Sequence, residues 1–341
     1  MEKPKDRDFV ETVEGLLFCV VGYLHPPDRY TAYLKYVPSP DGRWSRKGTR
    51  YARVIPYYHV SQVENTYVLL RERYPQYLFH CPVRNITVSS VLRTSVETYY
   101  HPRRRLRSIL AGGAGDPLEQ RLIDLVTLLS DLSGVRRGDL GVTGSLLTGS
   151  HNPKFSDIDL TVYGQAASRR LKEALIEARR EDGEVQPYGR ERLEAWSRSR
   201  SRRFPLSFEE LMGFAERRWN YGVYRGTYFS VHPVRTDGEI TEGYGDRVYR
   251  QRGVVAGTAE ITDSRESIYL PAIYQVDNVE AEAPGEVEQI VSYEGLFCDI
   301  FEDGDRVEFR GILEQVSGDR DYYRVVVGAA GSSTGYIKPA A

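Results

Sequence analysis

The sequence predicts an α+β protein in which a mixed segment of helices and strands is flanked on both sides by β-rich segments. Residues 1–60 contain three runs rich in aromatic and β-branched residues, residues 116–236 combine helical and strand patterns, and the chain after residue 253 shows only short strand patterns. The 341 residues suffice for two to three domains of about 150 residues each. We therefore divide the chain into an N-terminal α+β domain at 1–112, a core at 113–240 and a C-terminal β-barrel at 253–341.

The composition excludes several classes of protein. With 40% hydrophobic and 28% charged residues, the chain is typical of a folded globular protein and not of a disordered one. No stretch approaches the roughly 20 apolar residues of a membrane helix, and the first residues lack the apolar core of a signal peptide. Cys19, Cys81 and Cys298 are odd in number and far apart, so neither a disulfide framework nor a cysteine-based zinc site is predicted. We expect a cytoplasmic protein with no membrane partner.

Charge is unevenly distributed along the chain. Residues 237–321 hold 21 acidic and 7 basic residues, a net charge of −14, whereas residues 1–236 carry a net charge of +10. Two interpretations remain open: domains with different partners, or an acidic domain that packs on a basic one.

The N-terminal domain begins with three predicted strands, at 15–24, 31–38 and 50–58, separated by turns that contain proline or glycine. A helix is predicted from about residue 61 to residue 74. Residues 76–110 give no clear pattern, and the basic run at 101–108 is typical of a solvated surface. The glycine-rich segment 112–115 is interpreted as a linker.

The middle of the chain gives the clearest helical signal. Asp116 is a predicted N-cap, Pro117 suits the first helical turn, and Glu119 stands where the acid of a capping box belongs. The apolar face that follows predicts a buried helix to about residue 133. The remaining predicted elements are a strand at 140–142, a strand at 157–163, a helix around 171–178, a helix from 207 to about 221 and a strand at 226–234.

The C-terminal segment shows five strand patterns, interrupted by turn signals at 303–304 and 317–319. This number of short strands predicts a small β-barrel and resembles the OB type. OB folds often bind single-stranded nucleic acid, but this one lies in the acidic segment, which repels a polyanion. We therefore expect it to bind a protein partner or to pack internally. The five patterns are 254–261, 266–276, 288–301, 306–316 and 322–329.

Two carboxylates carry the main chemical signal. Asp157 and Asp159 alternate with apolar residues in a predicted strand, so both side chains project to the same side, about 7 Å apart along the chain. Neighbouring carboxylates repel each other, and partial burial strengthens that repulsion. A divalent cation relieves it, and hard oxygen ligands suit Mg²⁺ or Mn²⁺. Asp157 and Asp159 are therefore predicted metal ligands.

A glycine–serine pair precedes these acids. Gly144 and Ser145 end the strand at 140–142, and glycine allows a phosphate to approach the backbone closely. The amide and hydroxyl of Ser145 are able to donate hydrogen bonds to phosphate oxygens. A helix that starts here would direct its first amides at the same phosphates.

Taken together, these residues resemble the DNA polymerase β-like nucleotidyltransferase superfamily. The shared pattern is an apolar residue, Gly144 and Ser145, about a dozen residues, then Asp157, an apolar residue and Asp159, with Gly149 and Ser156 in support. It covers about 116–236. The whole chain also resembles a group of predicted archaeal nucleotidyltransferases with β-rich flanks on both sides of this core.

The resemblance implies a fold, a substrate and a reaction. Gly144 and Ser145 would bind a nucleoside triphosphate, and Asp157 and Asp159 would hold the metals. A hydroxyl of an unidentified acceptor would attack the α-phosphorus and release pyrophosphate, with two metals about 4 Å apart at the attacking and leaving oxygens.

The sequence departs from the family at the third carboxylate, which normally lies on a later strand beside the aspartate pair. The candidate strand, 226–234, contains no acid. Ser230 and His232 share one face of it, and His232 is a candidate catalytic residue, as a metal ligand or a proton acceptor. A lone histidine on a strand is more often structural, and Asp237 just beyond the strand is another candidate. A non-catalytic nucleotide- or nucleic-acid-binding or scaffold protein of the same fold therefore remains the alternative hypothesis.

An arginine-rich segment is the candidate nucleic-acid contact. Residues 190–203 combine several arginines with Trp196, and arginine pairs well with phosphate oxygens. The segment predicts an RNA or DNA acceptor. A charge-rich connector in solvent explains the same composition.

Overall fold

The computed structural model describes residues 3–55, 60–180, 183–328 and 335–340. These residues form an α+β protein, as predicted. Its helices are α1 Val60–Arg73, α2 Pro102–Gly112, α3 Pro117–Ser133, α4 Gly144–Thr148, α5 Gln165–Ala178, α6 Arg190–Ser201 and α7 Phe208–Arg217. Its strands are β1 Phe9–Thr12, β2 Leu17–Val20, β3 Arg29–Pro38, β4 Trp44–Arg46, β5 Thr49–Arg53, β6 Leu78–Cys81, β7 Ile86–Leu92, β8 Val96–Tyr100, β9 Leu140–Val142, β10 Ile158–Tyr163, β11 Val185–Gln186, β12 Tyr221–Tyr224, β13 Thr227–Val234, β14 Val248–Asp263, β15 Ala272–Ala281, β16 Val287–Ser292, β17 Arg306–Ser317, β18 Tyr322–Val327 and β19 Tyr336–Pro339.

The chain divides into two compact units. The first contains residues 1–56, 89–188 and 219–241, and the second contains residues 57–88, 189–218 and 242–341. The three domain boundaries drawn from the sequence stay predictions. Among the described helices, none is long and apolar enough to cross a membrane.

One sheet of the first unit is N-terminal. Its strands pair in the order β4-β5-β3-β2-β1-β8, and β3 also pairs with the end of β7. Phe9, Phe18, Leu34 and Tyr36 are buried in it, and every residue of β1 and β2 is buried, so both faces of these two strands are covered. The three predicted strands correspond to β2, β3 and β5; the end of the third prediction, 56–58, lies outside the described residues.

The segment 76–110, which gave no clear pattern, holds three strands and α2. The prediction of a solvated basic run at 101–108 is wrong for two of its arginines. Arg105 Nη2 lies 2.6 Å from Glu119 Oε1, and the Arg103 guanidinium lies 3.9 Å from the ring centroid of Tyr163. Both side chains thus tie α2 to other elements of the first unit.

The second sheet of the first unit has the order β11-β12-β13-β10-β9, with β10 parallel to β13 and antiparallel to β9. Helix α3 begins as predicted, since Asp116 Oδ1 accepts hydrogen bonds from the amides of Leu118 (2.8 Å) and Glu119 (3.0 Å). Its apolar face is buried, as is that of α5. This sheet and its helices hold the glycine–serine turn and the two aspartates.

The second unit contains α6, α7 and the C-terminal strands. Strands β14, β15, β16, β18 and β17 pair in that order, β14 also pairs with β17, and β16 is parallel to β18. Leu211 and Phe214 of α7 lie in the same apolar core as Phe297 and Phe309. The pairings form a circuit of five strands, and the OB-like barrel stays a prediction.

Several predicted elements have different bounds, among them the strand predicted at 288–301, which ends as β16 at Ser292. The predicted helix from 207 ends at Arg217, and strand β12 begins at Tyr221. The predicted strand 266–276 contains a 3₁₀ turn, Arg265–Ile268, and a cis peptide bond between Leu270 and Pro271 before β15 begins. In the latter two places, tertiary packing overrides the local pattern of side chains.

A buried ion pair stabilises the C-terminal sheet. Arg324 and Glu314 have side chains 9% and 8% exposed, and the Arg324 guanidinium also lies 3.9 Å from the ring centroid of Tyr249. Glu314→Ala leaves this guanidinium without its carboxylate, so we expect the free energy of unfolding in urea to fall by about 3–5 kcal/mol. The control is Glu280→Ala, at an exposed pair with Arg306, where we expect a loss below about 1 kcal/mol. Equal losses in the two variants would contradict this account.

Candidate active site

The backbone of the site is a strand, a short helix, a loop and a second strand. β9 leads through Thr143 into α4, the loop 149–157 follows, and β10 returns beside β9 with Leu160 opposite Val142. The amide of Thr143 donates to the carbonyl of Asp159, at 2.8 Å. The turn at 143–145 is therefore fixed directly beside the aspartate strand.

Only glycine fits at position 144. Its φ is +66°, in the left-handed region, and a Cβ atom there would lie 2.5 Å from Asp159 Oδ2. The Gly144 backbone thus packs against the carboxylate of Asp159. Ser145 follows in the first turn of α4 and is buried, and α4 ends after five residues at Gly149.

The loop that leads to Asp157 is attached to α3 near its start and is closed by a hydrogen bond of its own. His151 Nε2 lies 2.6 Å from Asp116 Oδ2, on the same carboxylate that caps α3. Farther along, the Asn152 amide donates to Ser156 Oγ at 3.0 Å. These contacts hold Asp157 immediately before β10. Asp116 and His151, which attach the loop to α3, are residues that sequence reasoning did not assign to the site.

The two aspartates differ electrostatically. The charge of Asp159 raises the pKa of the exposed Asp157 to about 6. Burial alone would raise the pKa of Asp159 too, but His232, Lys35 and the Ser230 hydroxyl outweigh it, so the pKa of Asp159 lies below its usual range. Asp159 is therefore the carboxylate that stays ionised, and the repulsion between the two acids raises the pKa of Asp157.

Ser230 and His232 lie beside Asp159 on the parallel neighbour strand. Ser230 is opposite Asp159 in the register, and its Oγ donates to Asp159 Oδ1. His232 Nε2 lies 2.9 Å from Ser230 Oγ and 3.9 Å from Asp159 Oδ1. Because the serine proton goes to the carboxylate, Nε2 must carry the proton that it shares with Ser230. Burial, followed by the charge of Arg7, lowers the pKa of His232 to about 4, so the ring is neutral at pH 7.

Basic side chains of the N-terminal sheet also act on the aspartates. The charges of Arg53 and Lys35 both lower the pKa of Asp157, against the effect of Asp159. The segments are in contact, since Thr143 Oγ1 donates to the carbonyl of Arg7 at 2.7 Å. Sequence reasoning missed these residues. The available signal was Lys35 itself, a single lysine within the apolar run of β3.

The donor set fits one kind of metal site. Among the described residues, no group of three or more His, Cys, Asp or Glu side chains is placed to hold a metal ion. Two carboxylates in mutual repulsion nevertheless suit Mg²⁺ or Mn²⁺, because Mg²⁺ typically takes one or two carboxylates and fills its other positions with water and substrate phosphates. The arrangement thus fits a cation that arrives with a phosphate ligand, and not a closed protein cage.

The structure brings together five of the residues that the sequence singled out: Gly144, Asp157, Asp159, Ser230 and His232. Ser145 is adjacent in the chain. Asp237, the other candidate for the third position, does not reach the pair; it lies in a 3₁₀ turn and forms an ion pair with Lys5.

Comparison with known proteins identifies a family and a relative. The model of a nucleotidyltransferase domain family matches residues 122–199, a range that contains the glycine–serine turn and both aspartates. An uncharacterized protein of Methanocaldococcus jannaschii, MJ1086, is 30% identical over 332 residues, which is 96% of each chain. No solved structure matches this chain.

The contact between Gly144 and Asp159 is testable by substitution. Gly144→Ala places a methyl group against the carboxylate and forces a non-glycine residue to positive φ, so we expect a loss of at least about 1 kcal/mol in urea unfolding and weaker Mn²⁺ binding. Gly138→Ala is the matched control, because nothing lies within 4 Å of its Cβ position. An equal response of the two variants would argue against a special role of Gly144.

The repulsion between the aspartates predicts that ionised Asp157 lowers the stability of the fold when no cation is bound and allows a cation to raise it. A raised pKa means that ionised Asp157 destabilises the fold as pH rises from about 4 through 6. At pH 7.5 with EDTA, Asp157→Asn should therefore melt at a higher temperature than wild type, and the difference should vanish near pH 4. With Mn²⁺, only wild type should gain stability. Asp131→Asn, on the exposed face of α3, is the control. A lower melting temperature of Asp157→Asn in EDTA would contradict the repulsion.

Proposed function

Because this chain belongs to the DNA polymerase β-like nucleotidyltransferase superfamily, we propose that it is a metal-dependent nucleotidyltransferase. It transfers a nucleoside monophosphate from a nucleoside triphosphate to a hydroxyl acceptor and releases pyrophosphate. The observation that carries the proposal is the packing of Gly144 against an ionised Asp159, with Asp157 beside it.

The reaction is a displacement at phosphorus. An acceptor hydroxyl oxygen forms a bond to the α-phosphorus, and the bond from the α-phosphorus to the bridging oxygen breaks. Pyrophosphate leaves with the electron pair, and the proton of the hydroxyl passes to solvent water. Bound Mg²⁺ would supply positive charge to the phosphate oxygens and orient them. Asp157 and Asp159 would hold that cation, and the backbone at Gly144 and Ser145 would bind the phosphates.

Ser230 and His232 stand where the family has a third acid. Their hydrogen-bond sequence runs from His232 Nε2 through Ser230 Oγ to Asp159 Oδ1, so both act on the orientation and ionisation of Asp159. With Nε2 already engaged, we assign His232 a positioning role. This arrangement supplies no third anionic ligand, which favours a cation held largely by its substrate.

The acceptor that we propose is RNA or DNA. Helix α6 carries exposed arginines at 190, 192 and 198, and the exposed Arg202 follows its last residue. The Arg200 guanidinium lies 4.4 Å from the ring centroid of Trp196. Exposed guanidinium groups beside an aromatic ring suit a sugar–phosphate backbone.

For the acidic C-terminal segment we propose a barrel of the OB type with a protein as its partner. The strand order and the parallel pairing of β16 with β18 support this barrel.

The proposal is tested by transfer of labelled nucleotide. Wild-type protein with Mg²⁺, each of the four nucleoside triphosphates and a mixture of RNA and DNA oligonucleotides should give labelled acceptor. Asp159→Asn should lower the rate by at least about 100-fold, as expected when a charge that organises the transition state is removed. Asp131→Asn should leave the rate unchanged.

One other function has a specific observation in its favour. Since the strand beside Asp159 presents Ser230 and His232 in place of an acid, the protein is also a candidate for binding nucleotide without turnover. Tight nucleotide binding by wild type, lost in Asp159→Asn, together with no labelled product from any acceptor, would favour this alternative.

A further inference from the structure

Lys35 occupies an irregular position in the N-terminal sheet. In the pairing of β2 with β3, Leu17 lies opposite Tyr36 and Phe18 lies opposite Leu34, so Lys35 between them has no partner residue on β2. This is a β-bulge, which turns a side chain away from the regular alternation of a strand. Strand β3 is an apolar run, and a bulge at its one lysine redirects that side chain.

Lys35 is a largely buried lysine. The residue is 9% exposed, and its Nζ lies 5.1 Å from the ring centroid of Phe9 and 5.9 Å from that of Tyr36. In the part of the chain that the structure describes, Nζ forms no hydrogen bond and no ion pair within 4.0 Å. An isolated buried ammonium destabilises a fold, and burial accordingly lowers the pKa of Lys35. Among the described residues, the ring faces of Phe9 and Tyr36 lie beside this charge and no carboxylate forms an ion pair with it.

The N-terminal sheet lies against the aspartate site at two places. The carbonyl of Arg7, two residues before β1, accepts a hydrogen bond from the hydroxyl of Thr143, which precedes Gly144. At the other place, the ring of Trp44 packs on the ring of Phe155, which lies two residues before Asp157, with 5.8 Å between the ring centroids. The Arg53 guanidinium lies 5.5 Å from the centroid of the same Trp44 ring. Lys35 lies on the strand between β2 and β5, and its charge and that of Asp159 act on each other.

Lys35 acts on Asp159 through its charge but forms no direct ion pair with it among the described residues. Asp159 Oδ1 accepts from Ser230, Oδ2 lies against Gly144, and no ion pair joins Asp159 to Lys35 within the described residues. Once a divalent cation neutralises the two carboxylates, these carboxylates no longer balance the positive charge of Lys35. A polyphosphate is the anion that such a site takes together with its cation.

We propose that Lys35, directed by its bulge, binds the non-transferred phosphates of the nucleoside triphosphate, with Arg53 as a second cation. The N-terminal sheet is then part of the nucleotide site. This inference rests on the proposed function, since it presupposes that the aspartates bind a cation with its polyphosphate. It adds two residues that lie far outside the matched range 122–199.

The test compares Lys35→Met with wild type, using the full-length chain and calorimetry with Mn²⁺ and inorganic tripolyphosphate. Removal of one charged contact should weaken binding of Mn²⁺–tripolyphosphate by about tenfold or more. Binding of Mn²⁺ alone should change less than about twofold, because the carboxylates remain. Lys35→Arg, which keeps the charge, should recover part of the affinity. Lys47→Met, at an exposed turn of the same sheet, should match wild type.

Stability separates a ligand-binding lysine from a structural one. Because Lys35→Met removes an unpaired buried charge and keeps an apolar side chain of similar length, its melting temperature without ligand should equal or exceed that of wild type. A less stable Lys35→Met, or one that binds tripolyphosphate as wild type does, would overturn the role of Lys35 and leave the proposed function in place. Failure of wild type to bind Mn²⁺–tripolyphosphate would overturn both.

Discussion

The repulsion between Asp157 and Asp159 is the interaction on which the rest of the site depends. Asp159 is held ionised by Ser230 and by nearby positive charge, and this charge in turn raises the pKa of Asp157 to about 6. A fold that keeps two carboxylates in this state has lower stability than one with a neutral pair. The surrounding features, namely glycine at 144, the anchored loop and the bulge at Lys35, are arranged around this pair.

The local backbone of the matched segment was largely predictable from the sequence, because it depends on residues that are close in the chain. Alternation in a strand predicted Asp157 and Asp159 on one side, although β10 begins only at Ile158, and the glycine at 144 indicated a turn into a helix. The side chain of Ser230 was also identified as a neighbour of His232, since the two residues differ by two positions in a strand. What the local pattern did not contain was the contact between Gly144 and Asp159 Oδ2, which depends on how β9 and β10 pair.

The contribution of the N-terminal sheet was not predictable in the same way. Lys35 and Asp159 are more than a hundred residues apart in the chain. The position of Lys35 at a bulge depends on the register of β2 with β3, which the sequence alone does not give. The basic run at 101–108 was misinterpreted for a related reason: arginine suits both solvent and an internal partner, and only the fold supplies Glu119 and Tyr163. Helix α6, which covers most of the arginine-rich segment 190–203, was also not predicted, because the many charged residues leave no clear apolar face.

The most direct test of the account is diffraction from crystals soaked with Mn²⁺ and a non-hydrolysable nucleoside triphosphate analogue, with data collected at the manganese absorption edge. We expect an anomalous peak between the carboxylates of Asp157 and Asp159, and phosphate density against the backbone of Gly144. Nucleotide bound elsewhere, or a manganese peak away from both aspartates, would contradict this expectation.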